Sequence, residues 1–136
     1  MTVYSNIYNI LVGEYIPEDV KNNIYNVNLR MNNCNNSITI IDLLKEKNEL
    51  FEKKCYYNFW LNNKNTTNKF DLHNIQSSFV NDILDAIYDY CIYNEIRQYF
   101  IITGKGTIIK PKVIKYLKEY NMKYDLENSG LIYIKI

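Results

Sequence analysis

The segment IITGKGTIIKPKVIKYLKEY, residues 101–120, joins an apolar run to a helical pattern through a lysine that stands between two glycines. The overlapping run QYFIIT, residues 98–103, predicts a buried strand, because short apolar runs bounded by turn residues are typical of buried strands. Pro111 predicts the start of a helix, with Val113 and Leu117 on its apolar face. Glycine-flanked lysines at strand-to-helix junctions bind phosphate, so this junction predicts an anion site.

The flanking segments complete an α/β pattern. KFDLHN, residues 69–74, predicts a short strand, and the apolar stripe of residues 77–95 predicts an amphipathic helix. Residues 122–136 predict a closing hairpin around the turn sequence ENSG. The order β-α-β-α-β-β indicates an α/β fold, a two-layer sandwich over residues 69–136. We expect its core to contain Ile83, Ile87, Ile101, Ile102, Val113, Leu117 and Ile132.

This order of elements has a geometric consequence for the polar residues. Two strands joined by a helix are expected to lie parallel, through a right-handed crossover. Residues that follow both strands then emerge at the same edge of the sheet, which is where open α/β sheets bind ligands. The sequence therefore predicts that Asp71 and His73 lie beside Lys105, although a helix separates them along the chain.

The glycine loop does not match either common nucleotide motif. The P-loop pattern requires a glycine five residues before Gly-Lys, but position 99 is tyrosine and Lys105 is followed by Gly106. The dinucleotide pattern G-x-G-x-x-G fails because Ile109 stands in the third glycine position. These mismatches argue against a bound mononucleotide or dinucleotide.

Residues 69–136 resemble the Smr (small MutS-related) domain. Asp71, Leu72 and His73 match the family's L-D-L-H-G box, with Phe70 in place of the first leucine. Asn74 replaces the box glycine, and asparagine tolerates a positive φ better than most residues. The loop Thr103, Gly104, Lys105 and Gly106 matches [HT]-G-x-G, and the following helix matches at Ile109, Lys110, Val113, Tyr116 and Leu117.

The resemblance implies binding to RNA or DNA and, as in many members, a metal-assisted endonuclease or nicking activity. It also implies a fold similar to the C-terminal domain of translation initiation factor 3. On this basis Asp71, His73 and Lys105 are the predicted catalytic residues. The nucleic-acid-binding residues implied are Thr103, Gly104, Lys105, Gly106, Thr107, Lys110 and Lys112.

The chemistry of these side chains agrees with that expectation. His73 could act as general acid or base near neutral pH. Asp71 could orient the imidazole or hold a divalent cation, Mg²⁺ or Mn²⁺. Lys105 and the backbone N–H groups of Gly104 and Gly106 could bind the scissile phosphate.

Three simpler interpretations remain open. Asp71 could only accept backbone hydrogen bonds at a turn, and His73 could be a structural residue. The segment Arg97–Lys118 holds six basic residues and no acidic one, which fits an anion-binding edge or a solvated face. The alternative function is therefore a non-catalytic RNA- or DNA-binding module.

Residues 1–68 carry no chemical motif and predict a mainly helical region. Pro17, followed by two acids, predicts a helix start, and a second helix is expected over about residues 40–60, after a loop at residues 28–37. The polar stretch LNNKNTTNK, residues 61–69, predicts a linker or exposed loop. We expect the region to mediate contacts with a protein partner or self-association.

Composition restricts the remaining classes. Three widely spaced cysteines and a single histidine argue against a zinc cluster. No apolar run approaches the length of about 18 residues that a membrane span requires, and no signal peptide is recognisable. The expectation is a soluble intracellular protein with reduced thiols and no membrane partner.

Overall fold

The computed structural model describes residues 2–104 and 106–136, so Lys105 lies outside the described residues. Within this range the fold is mixed α/β, with five α-helices, one short 3-10 helix and a four-stranded sheet. The elements are α1 (Val3–Leu11), α2 (Lys21–Asn32), α3 (Ser37–Asn63), β1 (Lys69–Asp71), a 3-10 helix (Ser77–Phe79), α4 (Val80–Tyr93), β2 (Gln98–Ile102), α5 (Ile109–Glu119), β3 (Lys123–Asn128) and β4 (Leu131–Lys135).

The strand order is β1-β2-β4-β3, and β1 is parallel to β2. The other two pairs, β2 with β4 and β3 with β4, are antiparallel. The predicted order β-α-β-α-β-β and the closing hairpin are thus confirmed. Helix α5 begins two residues before Pro111, which is compatible with proline because N–H groups of the first turn have no acceptor within the helix.

One core cluster joins the sheet to the helices around it. Six of the seven predicted core residues are buried there, among them Ile83 and Ile101. The prediction for Ile102 is wrong: it is only half-buried. Successive strand residues point to opposite faces of a sheet, so Ile101 and Ile102 cannot both face the core.

The same core extends into the N-terminal half of the chain. Ile7 of α1 and Phe59 of α3 are fully buried in the cluster that contains Ile101. Tyr4 of α1 also donates a hydrogen bond to Asp89 of α4, and this bond raises the pKa of the phenol to about 12. Helix α1 and the C-terminal part of α3 therefore contribute to the core of the sheet.

Helix α2 packs against α3 around a second, smaller cluster formed by Val20, Val27, Leu43 and Leu50. The predicted helix start at Pro17 is wrong, since α2 begins at Lys21. Lys21 is the first residue of α2, and its N–H donates to Asp19 Oδ1. The Asp19 carboxylate therefore satisfies one N–H at the start of the helix. The predicted loop over residues 28–37 is also too long, because α2 continues to Asn32. The sequence of α2 is polar and does not by itself indicate what stabilises the helix. Burial of Val27 against α3 stabilises it.

All three cysteines are free thiols. Burial raises the pKa of both Cys55 and Cys91 to about 12, so these two thiols are unreactive at neutral pH. None of the helices in the described part of the chain is both long enough and apolar enough to cross a membrane.

The shared core predicts that the two halves of the chain unfold together. We expect Phe59→Ala to lower the free energy of unfolding by about 3–5 kcal/mol, because it leaves a cavity between α3 and the sheet. Leu61→Ala, at an exposed position two residues later, is the control and should cost about 0.5 kcal/mol or less. Urea denaturation followed by Trp60 fluorescence and by circular dichroism should give one coincident transition. Two separate transitions would contradict a shared core.

Candidate functional site

The DLHN and TGKG segments meet at one edge of the sheet. Asp71 is paired with Ile102, and the Leu72 N–H donates to the Ile102 carbonyl at 2.8 Å. The two segments therefore leave the sheet side by side. A Cβ atom built on Gly104 would lie 3.7 Å from the Cβ of His73. The structure therefore brings His73 against the glycine loop. The position of Lys105 itself is outside the described residues.

Asp71 and His73 form a close pair. The Asp71 Oδ1 atom lies 2.7 Å from His73 Nδ1 and accepts the His73 backbone N–H at 2.9 Å. The same carboxylate oxygen thus both caps the turn and orients the imidazole ring. The imidazole is 46% exposed and the carboxylate 22%, so the pair is accessible from solvent. With Nδ1 donating to Asp71, Nε2 is the nitrogen available to accept or donate a proton at a ligand.

Two residues with positive φ shape the loops. Asn74, which replaces the box glycine, has φ 59°, and Gly104 has φ 73°. Asparagine is one of the few side-chain-bearing residues that adopt this conformation readily. The replacement of the box glycine therefore preserves a conformation that glycine adopts without strain.

Helix α3 holds the outer edge of β1. Asn63 Oδ1 accepts the Asp71 N–H at 2.7 Å, and Asn63 Nδ2 donates to the Asp71 carbonyl at 2.9 Å. Asn62 Nδ2 donates to the His73 carbonyl at 2.8 Å, and the Thr66 hydroxyl donates to the Lys69 carbonyl. The carbonyl groups of residues 69, 71 and 73 thus accept hydrogen bonds from side chains where an edge strand lacks a neighbour.

These contacts correct part of the interpretation of residues 61–69 as a linker or exposed loop, because α3 continues to Asn63 and only residues 64–68 connect it to β1. The stretch begins as the last turn of α3, and Asn63 is buried. The sequence analysis did not identify Asn62 and Asn63 as site residues. A cluster of amide side chains directly before the predicted strand of residues 69–74 is the available signal, since amides can pair with backbone groups as a neighbouring strand does.

The β3–β4 turn supports the glycine loop from the other side. The Thr103 N–H donates to the Gly130 carbonyl at 2.9 Å. A Cβ on Gly130 would lie 3.1 Å from the Gly104 carbonyl oxygen, which is tighter than an ordinary contact, so a side chain here would require the Gly104 backbone to shift by a few tenths of an ångström. Thr103 is 3% exposed, so its side chain lies in the interior and its backbone is the part that positions the loop.

Helix α5 is anchored so that its first turn faces the loop. The Lys112 ammonium donates to the Ser77 carbonyl at 2.6 Å, and the Tyr116 hydroxyl donates to Asp85. Burial, together with the bond to Asp85, raises the pKa of Tyr116. Among the described residues no side chain caps the α5 N-terminus, which favours an anion there, although Pro111 in the first turn supplies no N–H.

The predicted binding residues thus take different positions. Gly106 and Thr107 are exposed, and Lys110 is half-buried in the first turn of α5. The Lys112 side chain is engaged with the 3-10 helix, which ties it to the fold. Lys115 and Lys118, further along α5, are exposed.

The side chains near Asp71 provide few metal ligands. Across residues 2–104 and 106–136, no group of three or more His, Cys, Asp or Glu side chains could hold a metal ion. Asp71 and His73 are two donors, and Nδ1 of the histidine is already bonded to the carboxylate. The donor set fits only a cation that also takes ligands from phosphate and water, as Mg²⁺ commonly does.

The Asp71–His73 pair and the glycine loop lie in a segment that matches a known protein family. Residues 70–131 match the family model of the Smr domain. Over these residues the chain is similar to the Smr domain. The match contains the Asp71–His73 pair, the glycine loop and Gly130, and it confirms the resemblance found in the sequence. No curated protein and no solved structure matches the chain.

The contacts of Asn63 generate a prediction. We expect Asn63→Leu to lower the free energy of unfolding by about 1–3 kcal/mol, because it leaves the Asp71 N–H and carbonyl without partners. The single histidine permits a second measurement by NMR, in which the variant should broaden or shift the His73 ring signals. Asn65→Leu, at an exposed position, is the control and should leave both measurements unchanged. Equal costs for the two variants would show that Asn63 does not hold the edge.

Proposed function

We propose that the chain is a nucleic-acid-binding Smr protein that cleaves phosphodiester bonds in RNA or DNA, with His73 as general acid–base. The match of residues 70–131 to the Smr domain supports binding to nucleic acid. The observation that carries the proposal of cleavage is the 2.7 Å contact between Asp71 Oδ1 and His73 Nδ1 beside the glycine loop. A half-exposed imidazole held by a carboxylate is suited to proton transfer at a bound substrate.

In this proposal each part of the site has a separate task. Asp71 fixes the ring so that Nε2 can remove a proton from the attacking hydroxyl, which is the 2′-hydroxyl of RNA or a water molecule on DNA. The N–H groups of Gly104 and Gly106, with those of the α5 N-terminus, bind the phosphate and its developing charge. Lys105 is proposed to neutralise the same phosphate, on the basis of its place in the sequence motif.

We include a divalent cation, Mg²⁺ or Mn²⁺, as the proposed cofactor. Asp71 would hold it, and the cation would supply charge neutralisation at the phosphate. The exposed part of the carboxylate supports this role, whereas its engagement with His73 supports the orienting role. The element order also supports the finer proposal of a two-layer sandwich similar to the C-terminal domain of translation initiation factor 3.

A second candidate is a non-catalytic RNA- or DNA-binding module. It is favoured by the small number of metal ligands among the described residues. In this alternative, residues 1–68 contact a protein partner or a second copy. The exposed apolar side chains Ile38 and Ile41 on α3 support such a contact.

Cleavage of labelled RNA and DNA by purified protein separates the two candidates. We expect His73→Ala to reduce the rate by about 100-fold or more, because the general acid–base is lost, with affinity within about twofold of wild type. Asp71→Asn tests the cation: activity partly restored at high Mn²⁺ supports a metal ligand, and no recovery supports the orienting role alone.

Tyr93→Ala, an exposed position at the end of α4, is purified in parallel as a control for contaminating nuclease. Cleavage that persists in the His73→Ala protein would contradict the assigned site. Wild-type protein that binds nucleic acid but cuts no substrate, with or without Mg²⁺ and Mn²⁺, would contradict cleavage and support the non-catalytic binding module.

A further inference from the structure

The sheet has a second face whose side chains do not enter the core. Phe70, Tyr99 and Ile101 point into the core cluster, together with Ile132 and Ile134. The alternating residues point the other way and are half-buried or exposed. On this face lie Lys69, Asp71, Phe100, Ile102, Leu131 and Tyr133.

The strand register places an aromatic pair at the centre of this face. Phe100 is paired with Lys69 on one side and with Tyr133 on the other. The two ring centroids are 5.2 Å apart, and the Lys69 ammonium lies 5.4 Å from the centroid of Phe100. We call Lys69, Phe100 and Tyr133 the aromatic row. It combines two aromatic rings with a cation on three adjacent strands, β1, β2 and β4.

The aromatic row is continuous with the candidate active site. The next row of the same face is Asp71, Ile102 and Leu131, followed along the chain by His73. Two residues of strand separate the rows, which is about 7 Å. A ligand that occupies the Asp71–His73 site can therefore extend onto the aromatic row without leaving the face of the sheet.

We propose that the aromatic row stacks unpaired bases of a single-stranded nucleic acid whose phosphate backbone continues to the Asp71–His73 site. The proposal rests on the proposed function and adds the class of substrate, a single-stranded segment. Bases in a duplex are stacked on each other, so only unpaired bases offer their faces to aromatic side chains. Stacking of this kind tolerates any sequence, because every base has a π-face.

The charges around the row favour nucleic acid over an apolar protein segment. Lys69 lies at the row itself, and Lys123 and Lys135 are paired at the adjacent end of the sheet. Asp125 is paired with Tyr133 on the side away from Lys69. Phosphate groups are therefore attracted to Lys69 at the row and to the Lys123–Lys135 end of the sheet, whereas the Asp125 carboxylate beside Tyr133 repels them. The bound nucleic-acid strand is expected to pass over β1 and β2 towards His73.

Fluorescence anisotropy with the full chain tests this surface. The probes are a labelled oligouridine, an oligothymidine, an abasic oligonucleotide of equal length and a duplex, all measured in the His73→Ala background so that no probe is cut. We expect Phe100→Leu with Tyr133→Leu to weaken binding to the single-stranded probe it prefers by about 10-fold or more. Tyr93→Leu, at an exposed tyrosine outside the sheet, should leave the affinity unchanged.

The abasic probe tests base stacking without any substitution on the face of the sheet. With Phe100 and Tyr133 intact, the protein should bind the abasic probe about as weakly as the double variant binds the normal single-stranded probe. The double variant should bind the abasic probe no more weakly than that. Lys110→Glu should weaken both probes, because it removes a phosphate contact and not a stacking contact. Lys45→Glu, at an exposed position of α3 outside the sheet, is the charge control for Lys110→Glu and should weaken binding less.

The outcomes separate this inference from the proposed function. Equal affinity for normal and abasic probes, with loss of binding on Lys110→Glu, would overturn the stacking surface and leave a nucleic-acid-binding Smr protein. No binding to any probe would overturn both. A protein that sediments as a dimer through the aromatic row, and as a monomer after Phe100→Leu with Tyr133→Leu, would show that a second copy covers this face, and would overturn the inference.

Discussion

The side-chain amide of Asn63 forms two hydrogen bonds to the backbone of Asp71, and the rest of the site depends on this contact. Strand β1 is at the edge of the sheet, so its outer N–H and carbonyl groups have no neighbouring strand. An unsatisfied backbone group that is removed from water costs free energy comparable to a lost hydrogen bond. The amide replaces the missing strand at the residue whose carboxylate orients His73.

This contact makes the helical N-terminal region part of the site. Helix α3 carries Phe59, which is buried in the common core, and Asn63, which follows it by one turn. The apolar residue fixes the helix against the sheet, and the polar residue then reaches the edge of β1. The Smr family match begins at residue 70, after both of these positions. The supporting contacts of the Asp71–His73 pair therefore come partly from outside the matched segment.

Much of this arrangement could be predicted from the sequence. The apolar periodicity of residues 77–95 and the run before Thr103 indicated the helix and the strand, and the parallel crossover then placed His73 against the glycine loop. Alternation along a strand is equally strict, and it excludes Ile102 from the core although its side chain is as apolar as that of Ile101. The same alternation directs Phe100 and Tyr133 to the face that carries Asp71.

Other features could not be predicted, because they depend on contacts between distant residues. Helix α2 has a polar sequence and is stabilised by the burial of Val27 against α3. Asn63 resembles a loop residue in sequence, since an amide that pairs with a distant backbone leaves no periodic pattern. The sequence motif includes the glycines of the TGKG loop, but the close approach of Gly130 to Gly104 becomes visible only when the hairpin is in place.

Native-state hydrogen exchange of two neighbouring amides tests the central claim most directly. The Leu72 N–H donates to the Ile102 carbonyl within the sheet, and the Asp71 N–H donates to Asn63 on the outer edge. If α3 completes the edge of β1, both amides exchange only when the whole domain opens, with similar protection. An Asp71 amide that exchanges as fast as an exposed edge, while the Leu72 amide remains protected, would contradict the account.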